Sequence, residues 1–273
     1  MNQIAQPNLQ DVVRCAQDAG EVLLSHFYSA FSHQITMKSD QSPVTQADVA
    51  ANAVINARLT QIDPMIPILS EENNAIDYAV RQTWNRYWLV DPLDGTRGFI
   101  RRDASFCVNI ALVENHKPIL GVIYAPVEKY AVYAAKNQGV FLLHDNEIKP
   151  VSGAKFRENS LHILTGKFDK HPQFRERLQT HFNNLSITEM NSALKFAKIA
   201  QGLGDLYVRL GPTSEWDTAA GQCIVEEAGG LVVDFEGQPL QYNAKSSLIN
   251  PSFLAMGDAS QCEYYTKIMR EMR

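Results

Sequence analysis

Residues 87–96 read Tyr87-Trp88-Leu89-Val90-Asp91-Pro92-Leu93-Asp94-Gly95-Thr96. Tyr87 to Val90 is apolar on both parities, the pattern of a strand buried on both faces. That strand delivers Asp91 straight out of a core. Pro92 sets φ and removes one backbone donor. Gly95 permits backbone conformations closed to other residues, so a turn here can bring both carboxylates to one side. Two anionic groups so close repel unless a cation bridges them or one takes a proton. A divalent metal resolves the conflict. The donors are all oxygen, so Mg²⁺ is the expected ion and Mn²⁺ the alternative. Taken alone, Asp-Gly is first of all a turn signal, and the balance shifts only through what accompanies it.

Ser70-Glu71-Glu72 closes a short apolar strand, Ile66 to Leu69. A strand end is where a side chain leaves the core for a cleft. Glu72 reads as exposed. Trp216-Asp217-Thr218-Ala219-Ala220-Gly221 opens a helix, where Asp217 reads by default as an N-cap. Each segment is ambiguous alone, yet together they supply Glu71, Asp91, Asp94 and Asp217, enough acids for a two-metal site. Gly95 and Thr96 add backbone N–H groups ahead of a helical turn, Thr96 to Phe99, which suit a phosphate oxygen. The Thr96 hydroxyl can hold a water. Thr45-x-x-Asp48 fits a capping box, and spacing alone favours that reading of Asp48.

Outward from these segments, Leu9 to Phe27 carries apolar residues at helical steps behind Asn8 as N-cap. Lys38 to Pro43 reads as a loop. A second helix runs from Thr45 to Asp63-Pro64. Phe106–Glu114, Ile119–Ala125 and Tyr130–Ala135 read as successive antiparallel strands, with Gly139–Leu143 as one more. Beyond Val151-Ser152-Gly153 the pattern alternates: strands at 160–165, 185–190, 206–210 and 231–235, helices at 172–182, 193–201, 218–228 and 260–272. The expectation is two packed lobes, 1–150 holding most metal ligands and 151–273 holding the substrate pocket and Asp217.

The chain has 273 residues, long enough to bury a core without staples. Twenty-five Lys+Arg against 30 Asp+Glu give a net charge of −5, which argues against a nucleic-acid partner. Cys15, Cys107, Cys223 and Cys262 form no C-x-x-C pair, so they read as reduced thiols of a cytoplasmic protein. The first eight residues lack a signal-peptide pattern. No apolar stretch approaches the ~20 residues of a membrane span, which leaves peripheral attachment to the inner membrane face open, as it leaves the oligomeric state. The seven histidines show no ligand spacing, and no hydrolase elbow, zinc-protease motif or P-loop is present.

Asp91-Pro92-Leu93-Asp94-Gly95-Thr96 with Trp216-Asp217-Thr218-Ala219-Ala220-Gly221 resembles the paired motifs of the inositol monophosphatase-like, lithium-sensitive, magnesium-dependent phosphatases. Lys38-x-Asp40-x-Ser42-Pro43-Val44-Thr45-x-Ala47-Asp48, Leu69-Ser70-Glu71-Glu72 and Phe106-x-Val108-Asn109-Ile110-Ala111-Leu112 extend it over nearly the whole chain. Ser192 to Phe196, Leu206 to Asp217 and Asn250-Pro251-x-Phe253 are most similar to the bacterial 3′(2′),5′-bisphosphate nucleotidases. The departure is Arg101-Arg102-Asp103-Ala104-Ser105, where a Gly or Glu is expected before the strand.

The resemblance implies a layered α+β and α/β (αβαβα) sugar-phosphatase fold and two or three Mg²⁺ ions. Glu71, Asp91 and the Leu93 carbonyl would hold one ion, and Asp91, Asp94 and Asp217 the second. Glu71 and Thr96 would position the attacking water with Asp48 orienting Thr96, which raises Asp48 above its capping role. Gly95 and Thr96 amides would take the scissile phosphate. Ser192, Lys195 and Arg209 would take a second phosphate; alone, Lys195 reads as a solvated helix residue and Arg209 as an exposed strand residue. The implied reaction is hydrolysis of adenosine 3′,5′-bisphosphate, or its sulfated relative, to the 5′-nucleotide and phosphate. The rivals are an inositol or sugar phosphatase of the same family and a non-catalytic regulator binding metal and phosphate ligands.

Overall fold

The computed structural model describes residues 6–29, 35–37, 43–153, 160–166 and 172–271. The expected loop over 38–42, the motif positions Lys38, Asp40 and Ser42, His33, His171, residues 1–5 and Met272 lie outside the described residues.

Helix α1 (Leu9–Phe27) begins where the Asn8 side chain accepts from the Gln10 amide, with Asp11 in its first turn. Its three- and four-residue spacing buries Val12, Val13, Ala16, Ala19 and Leu23 completely or nearly so. Two short strands follow, β1 (Ile35–Met37) and β2 (Pro43–Thr45), paired antiparallel. Pro43, read from sequence as loop, is therefore strand; three residues carry too little pattern to announce one. Helix α2 (Gln46–Ile62) starts on the expected capping box: Thr45 N donates to Asp48 Oδ2 at 2.8 Å. It ends ahead of Pro64, whose ring disfavours helical backbone at Asp63.

Then come β3 (Ile68–Ser70), the short helix α3 (Tyr78–Arg81), β4 (Arg86–Asp94) and helix α4 (Thr96–Ile100). The meander β5 (Cys107–Glu114), β6 (Lys117–Ala125), β7 (Tyr130–Ala135), β8 (Gly139–His144) and β9 (Glu147–Val151) completes a sheet. Among the described residues it has seven strands in sequential order, β3 parallel to β4 and the rest antiparallel. The polar β9, with a proline, carries no strand signal in the sequence; it is an edge, where an unpaired N–H is not needed.

The second half contains β10 (Ser160–Thr165), α5 (Pro172–His181), β11 (Asn184–Glu189), α6 (Leu194–Ala200), β12 (Leu206–Arg209), α7 (Ala219–Glu227), β13 (Leu231–Asp234), β14 (Phe253–Met256) and α8 (Cys262–Glu271). Its described strands lie in the order β11-β10-β12-β14-β13. β10 runs parallel to β11 and β12, whereas β14 is antiparallel to both its neighbours. The plain alternation read from sequence is thus corrected by β14, four fully buried residues inserted centrally.

Three cores stack five layers. α1 and α2 pack on one face of the large sheet through Leu23, Ile55, Trp88 and Leu120. α6 and α7 fill the space between the sheets through Leu89, Phe196, Ile224 and Phe253. α5 and α8 cover the far face of the smaller sheet through Leu178, Leu254 and Ile268. The order is αβαβα, as the resemblance implies. The sheets close on α7 tightly: a Cβ on Gly121 of β6 would lie 2.3 Å from the Ala220 carbonyl oxygen.

Candidate active site

Along a regular strand, residues three apart face opposite sides. Asp91 pairs with Asn109 and Asp94 with Cys107, so three steps on β4 match two on β5. This bulge inserts one residue and turns Asp94 to the side that Asp91 already faces. The Asp91 carboxylate accepts from the Leu93 amide at 3.0 Å. Asp94 accepts from Asn109 Nδ2 at 3.2 Å and from the Ala193 amide just before α6. Gly95 then takes φ 101°, a left-handed conformation that starts α4.

Asp217 reaches the same place from the other half of the chain. It is the last residue of a 3₁₀ turn, Glu215–Asp217, and its carboxylate accepts from the Ser214 amide at 2.9 Å. The N-cap position of α7 belongs to Thr218, which corrects the default reading of Asp217. Asp91, Asp94 and Asp217 each offer a carboxylate oxygen within 4.8 Å of the others. Glu71 is held at the end of β3 by its amide, which donates to the Val90 carbonyl at 3.0 Å. Its side chain lines the same cleft, with Leu93, Gly95, Thr96 and Trp216.

The electrostatics follow from this crowding. Burial, then the charges of Glu71, Asp94 and Asp217, hold the Asp91 carboxyl well above the usual range. Burial and Asp94 push Asp217 up to about 8. Asp94 is raised by burial, with the Lys195 charge and the Ala193 amide pulling the other way. Four acids facing one cleft lack cationic compensation of equal size, and their donor atoms are hard oxygens. This set fits a divalent cation.

Thr96 Oγ1 lies 3.3 Å from Asp48 Oδ1 and 3.1 Å from the Leu93 carbonyl oxygen. Asp48 is 1% exposed, and Oδ2 serves the capping box while Oδ1 faces Thr96. Both readings of Asp48 hold together, because a carboxylate has two oxygens.

A second chamber of about 740 Å³ opens beyond Gly95 and Arg97, which line both. Ser192, in a left-handed conformation at φ 56°, and Arg209 line it. Arg209 is braced: Nε donates to Gly211 O at 3.1 Å and Nη2 to Pro212 O at 3.0 Å. Lys195 is not a solvated helix residue. It is 4% exposed, and its ammonium donates to the Met190 and Ser192 carbonyls from beneath the chamber. Nζ also lies 4.9 Å from the centre of the Tyr207 ring. Sequence spacing pointed to neither Arg97 nor Arg101 as chamber residues. The divergent loop 101–105 is tied across the cleft, with Asn191 Nδ2 donating to Asp103 Oδ2 at 2.7 Å. Cys107, at the floor, lies 3.8 Å from Asp94 Oδ2. Another cavity of about 600 Å³ borders α1 and α2, away from these acids. Its arginines are paired, Arg14 with Asp11 and Arg58 with Asp18.

The sequence matches the inositol monophosphatase family model over residues 6–268. It is 40% identical over 247 residues to the 3′(2′),5′-bisphosphate nucleotidase CysQ of Aggregatibacter actinomycetemcomitans, covering 90% of this chain and 91% of that protein. It is 41% identical to the enzyme of the same name from Salmonella typhimurium, covering 90% and 98%. The crystal structure of CysQ from Bacteroides thetaiotaomicron, a bacterial member of the inositol monophosphatase family, superimposes with a TM-score of 0.80 at 34% identity, covering 92% of this chain and 97% of that one.

Proposed function

We propose that this chain, which belongs to the inositol monophosphatase family, is a magnesium-dependent 3′(2′),5′-bisphosphate nucleotidase. Its substrate is adenosine 3′,5′-bisphosphate, cleaved to AMP and phosphate, with the sulfated relative as a second substrate. The observation that carries the reading is the convergence of Asp91, Asp94 and Asp217 from both halves of the chain beside a cation-lined chamber. The curated relatives named above supply the nucleotide.

Glu71, Asp91 and the Leu93 carbonyl would hold one Mg²⁺, and Asp91, Asp94 and Asp217 a second. Bound there, the ions supply the positive charge that lowers the pKa of water and stabilises a leaving alkoxide. The chain's own residues do the rest. Thr96 donates its hydroxyl hydrogen to Asp48, which leaves oxygen lone pairs to accept from the attacking water. Glu71 takes the proton of that water. The water oxygen bonds to phosphorus as the P–O ester bond breaks, and the ribose oxygen leaves as an alkoxide that takes its proton from solvent water. Amides of Gly95 and Thr96 hold the phosphoryl oxygens, where fixed donors do most of the work of a loose transition state. Ser192 and Arg209 hold the second phosphate, and Lys195 braces the 190–192 turn from below.

No described helix is long and apolar enough to cross a membrane. All four cysteines are unpaired, which agrees with a reducing, cytoplasmic setting.

A phosphate-release panel tests the function. Adenosine 3′,5′-bisphosphate should be preferred over inositol phosphate and fructose bisphosphate, and release should require Mg²⁺. Equal or greater release from inositol phosphate would assign the chain to another branch of the family.

A further inference from the structure

The residues that select a two-phosphate ligand lie on α4 as well as on β12. The carboxylate cleft and the second chamber meet at Gly95 and Arg97, and they are opposite in character. The first is lined by four acids. The second has Arg97, Arg101 and Arg209 in its lining and, among the described residues, no carboxylate.

Each chamber cation has a different freedom. Lys195 points inward to two carbonyls and the Tyr207 ring, so its hydrogens are committed. Arg209 spends Nε and Nη2 on the chain and keeps Nη1 beside Gly166, 3.3 Å from where a Cβ there would sit. Arg97 and Arg101 are exposed, and among the described residues neither has an ion-pair partner. Arg101 is tethered by its own helix: Nε donates to the Arg97 carbonyl at 3.1 Å, and among the described residues its Nη groups have no hydrogen-bond partner. Hydrogen bonds from Ser105 hold the nearby Asp103 carboxyl below its usual range, and the Arg101 charge adds to this without forming an ion pair. One oxygen of Asp103 takes Ser105 N and Oγ, and the other takes Asn191. The same contacts fix the loop that follows Arg101.

The geometry points to Arg101, with Arg97, as specificity-determining residues that hold the distal phosphate of the nucleotide by forked guanidinium bonds, opposite Arg209. The inference rests on the nucleotidase reading above and goes beyond it in naming these residues. A guanidinium pair discriminates between a ligand with one phosphate and a ligand with two, because only the second phosphate brings acceptor oxygens to its forked donors.

The test compares kcat/KM on adenosine 3′,5′-bisphosphate and adenosine 3′-monophosphate for the parent, Arg101→Ala, Arg101→Lys and Arg97→Ala. In Arg101→Ala the preference for the bisphosphate should fall at least tenfold, and the inhibition constant of AMP, which carries only the distal phosphate, should rise in parallel. Arg101→Lys should restore part of both, and Arg97→Ala should reduce the preference less than tenfold. Preference and AMP inhibition retained in Arg101→Ala would overturn this inference alone. A parent enzyme without preference for the bisphosphate would overturn the nucleotidase reading, and this inference with it. Because Arg101 is exposed, misfolding does not confound the comparison; circular dichroism of the variants checks this.

Discussion

Removing divalent metal should make the stability of this protein depend on pH in the opposite sense to most acidic sites. Asp217 is pushed up to about 8 by burial and by Asp94, against 3.8 unperturbed. Between those values the folded chain holds a proton that the unfolded chain has released. Stability therefore falls as pH rises through the window; it is fully present below about 4 and lost as pH passes about 8. One such carboxylate gives a slope of about −1.4 kcal/mol per pH unit. From pH 5.5 to 7.5 the ceiling is about 2.7 kcal/mol per group. Asp217 is half-buried in an open cleft, and water screening lowers the expectation to about 1–2 kcal/mol. Asp91, held well above its ordinary value, adds in the same direction. Glu215 and Glu226, both at about 7, do so too, so the decisive comparison is internal. Lys195, pushed down to about 8, acts with opposite sign only above that pH. The assay is urea unfolding in chelator at pH 5.5, 6.5 and 7.5, for the parent and Asp217→Asn, repeated in millimolar Mg²⁺. The variant should lose about a fifth to a quarter of the slope, and Mg²⁺ should flatten the parent's curve. Identical slopes in parent and variant, or a parent slope indifferent to Mg²⁺, would refute the picture of uncompensated acids gathered for a cation.

Asp91→Asn should abolish Mg²⁺-dependent phosphate release while the protein stays folded by circular dichroism, and normal turnover would remove Asp91 from the metal set. Thr96→Ala should lower kcat about 100-fold and Thr96→Ser should keep most of it, since the hydroxyl facing Asp48 survives; equal losses would mean that the methyl group matters instead. Gly121→Ala should cost about 1–3 kcal/mol in denaturant unfolding, because its Cβ would meet the Ala220 carbonyl oxygen at 2.3 Å and both are backbone-borne. An unchanged midpoint would show that β6 and α7 can separate without penalty.

The parts of the fold that local pattern announces are those whose burial has a simple period. Helices α1 and α2, strand β4 and the β5–β7 meander are of this kind: their apolar spacing and caps in sequence match the elements formed. The elements that escaped have no period to read. β9 is a polar edge containing a proline, and β14 is four apolar residues that could equally have been a helix fragment. The same limit applies inside the site. Residue types identify Asp91 and Asp94 as candidates, but odd spacing on a strand argues against their sharing a face. The bulge that reconciles them depends on the pairing partner, Asn109 to Cys107, and is invisible in β4 itself. Lys195 shows the converse. Its sequence context is an ordinary helix surface, and only the packing of α6 between the two sheets buries its ammonium.

That dependence on packing has a functional consequence. Asp94 accepts from Asn109 on β5 and from the Ala193 amide before α6, so one carboxylate is held by both halves of the chain. Asp217 belongs to a turn whose neighbour Glu215 is clamped by the Asn243 amide at 2.7 Å and whose carbonyl accepts from Thr218 Oγ1 at 3.2 Å. The acids therefore reach mutual range only when α7 is seated against β6, where Gly121 leaves no room for a side chain. A cation bound by this set acts on the folded arrangement alone, since the unfolded chain keeps these acids apart. Binding free energy then adds directly to folding free energy as RT ln(1 + [L]/Kd). At a hundredfold excess over the dissociation constant this gives about 2.7 kcal/mol. That would offset part of the electrostatic cost of assembling the acids in one cleft.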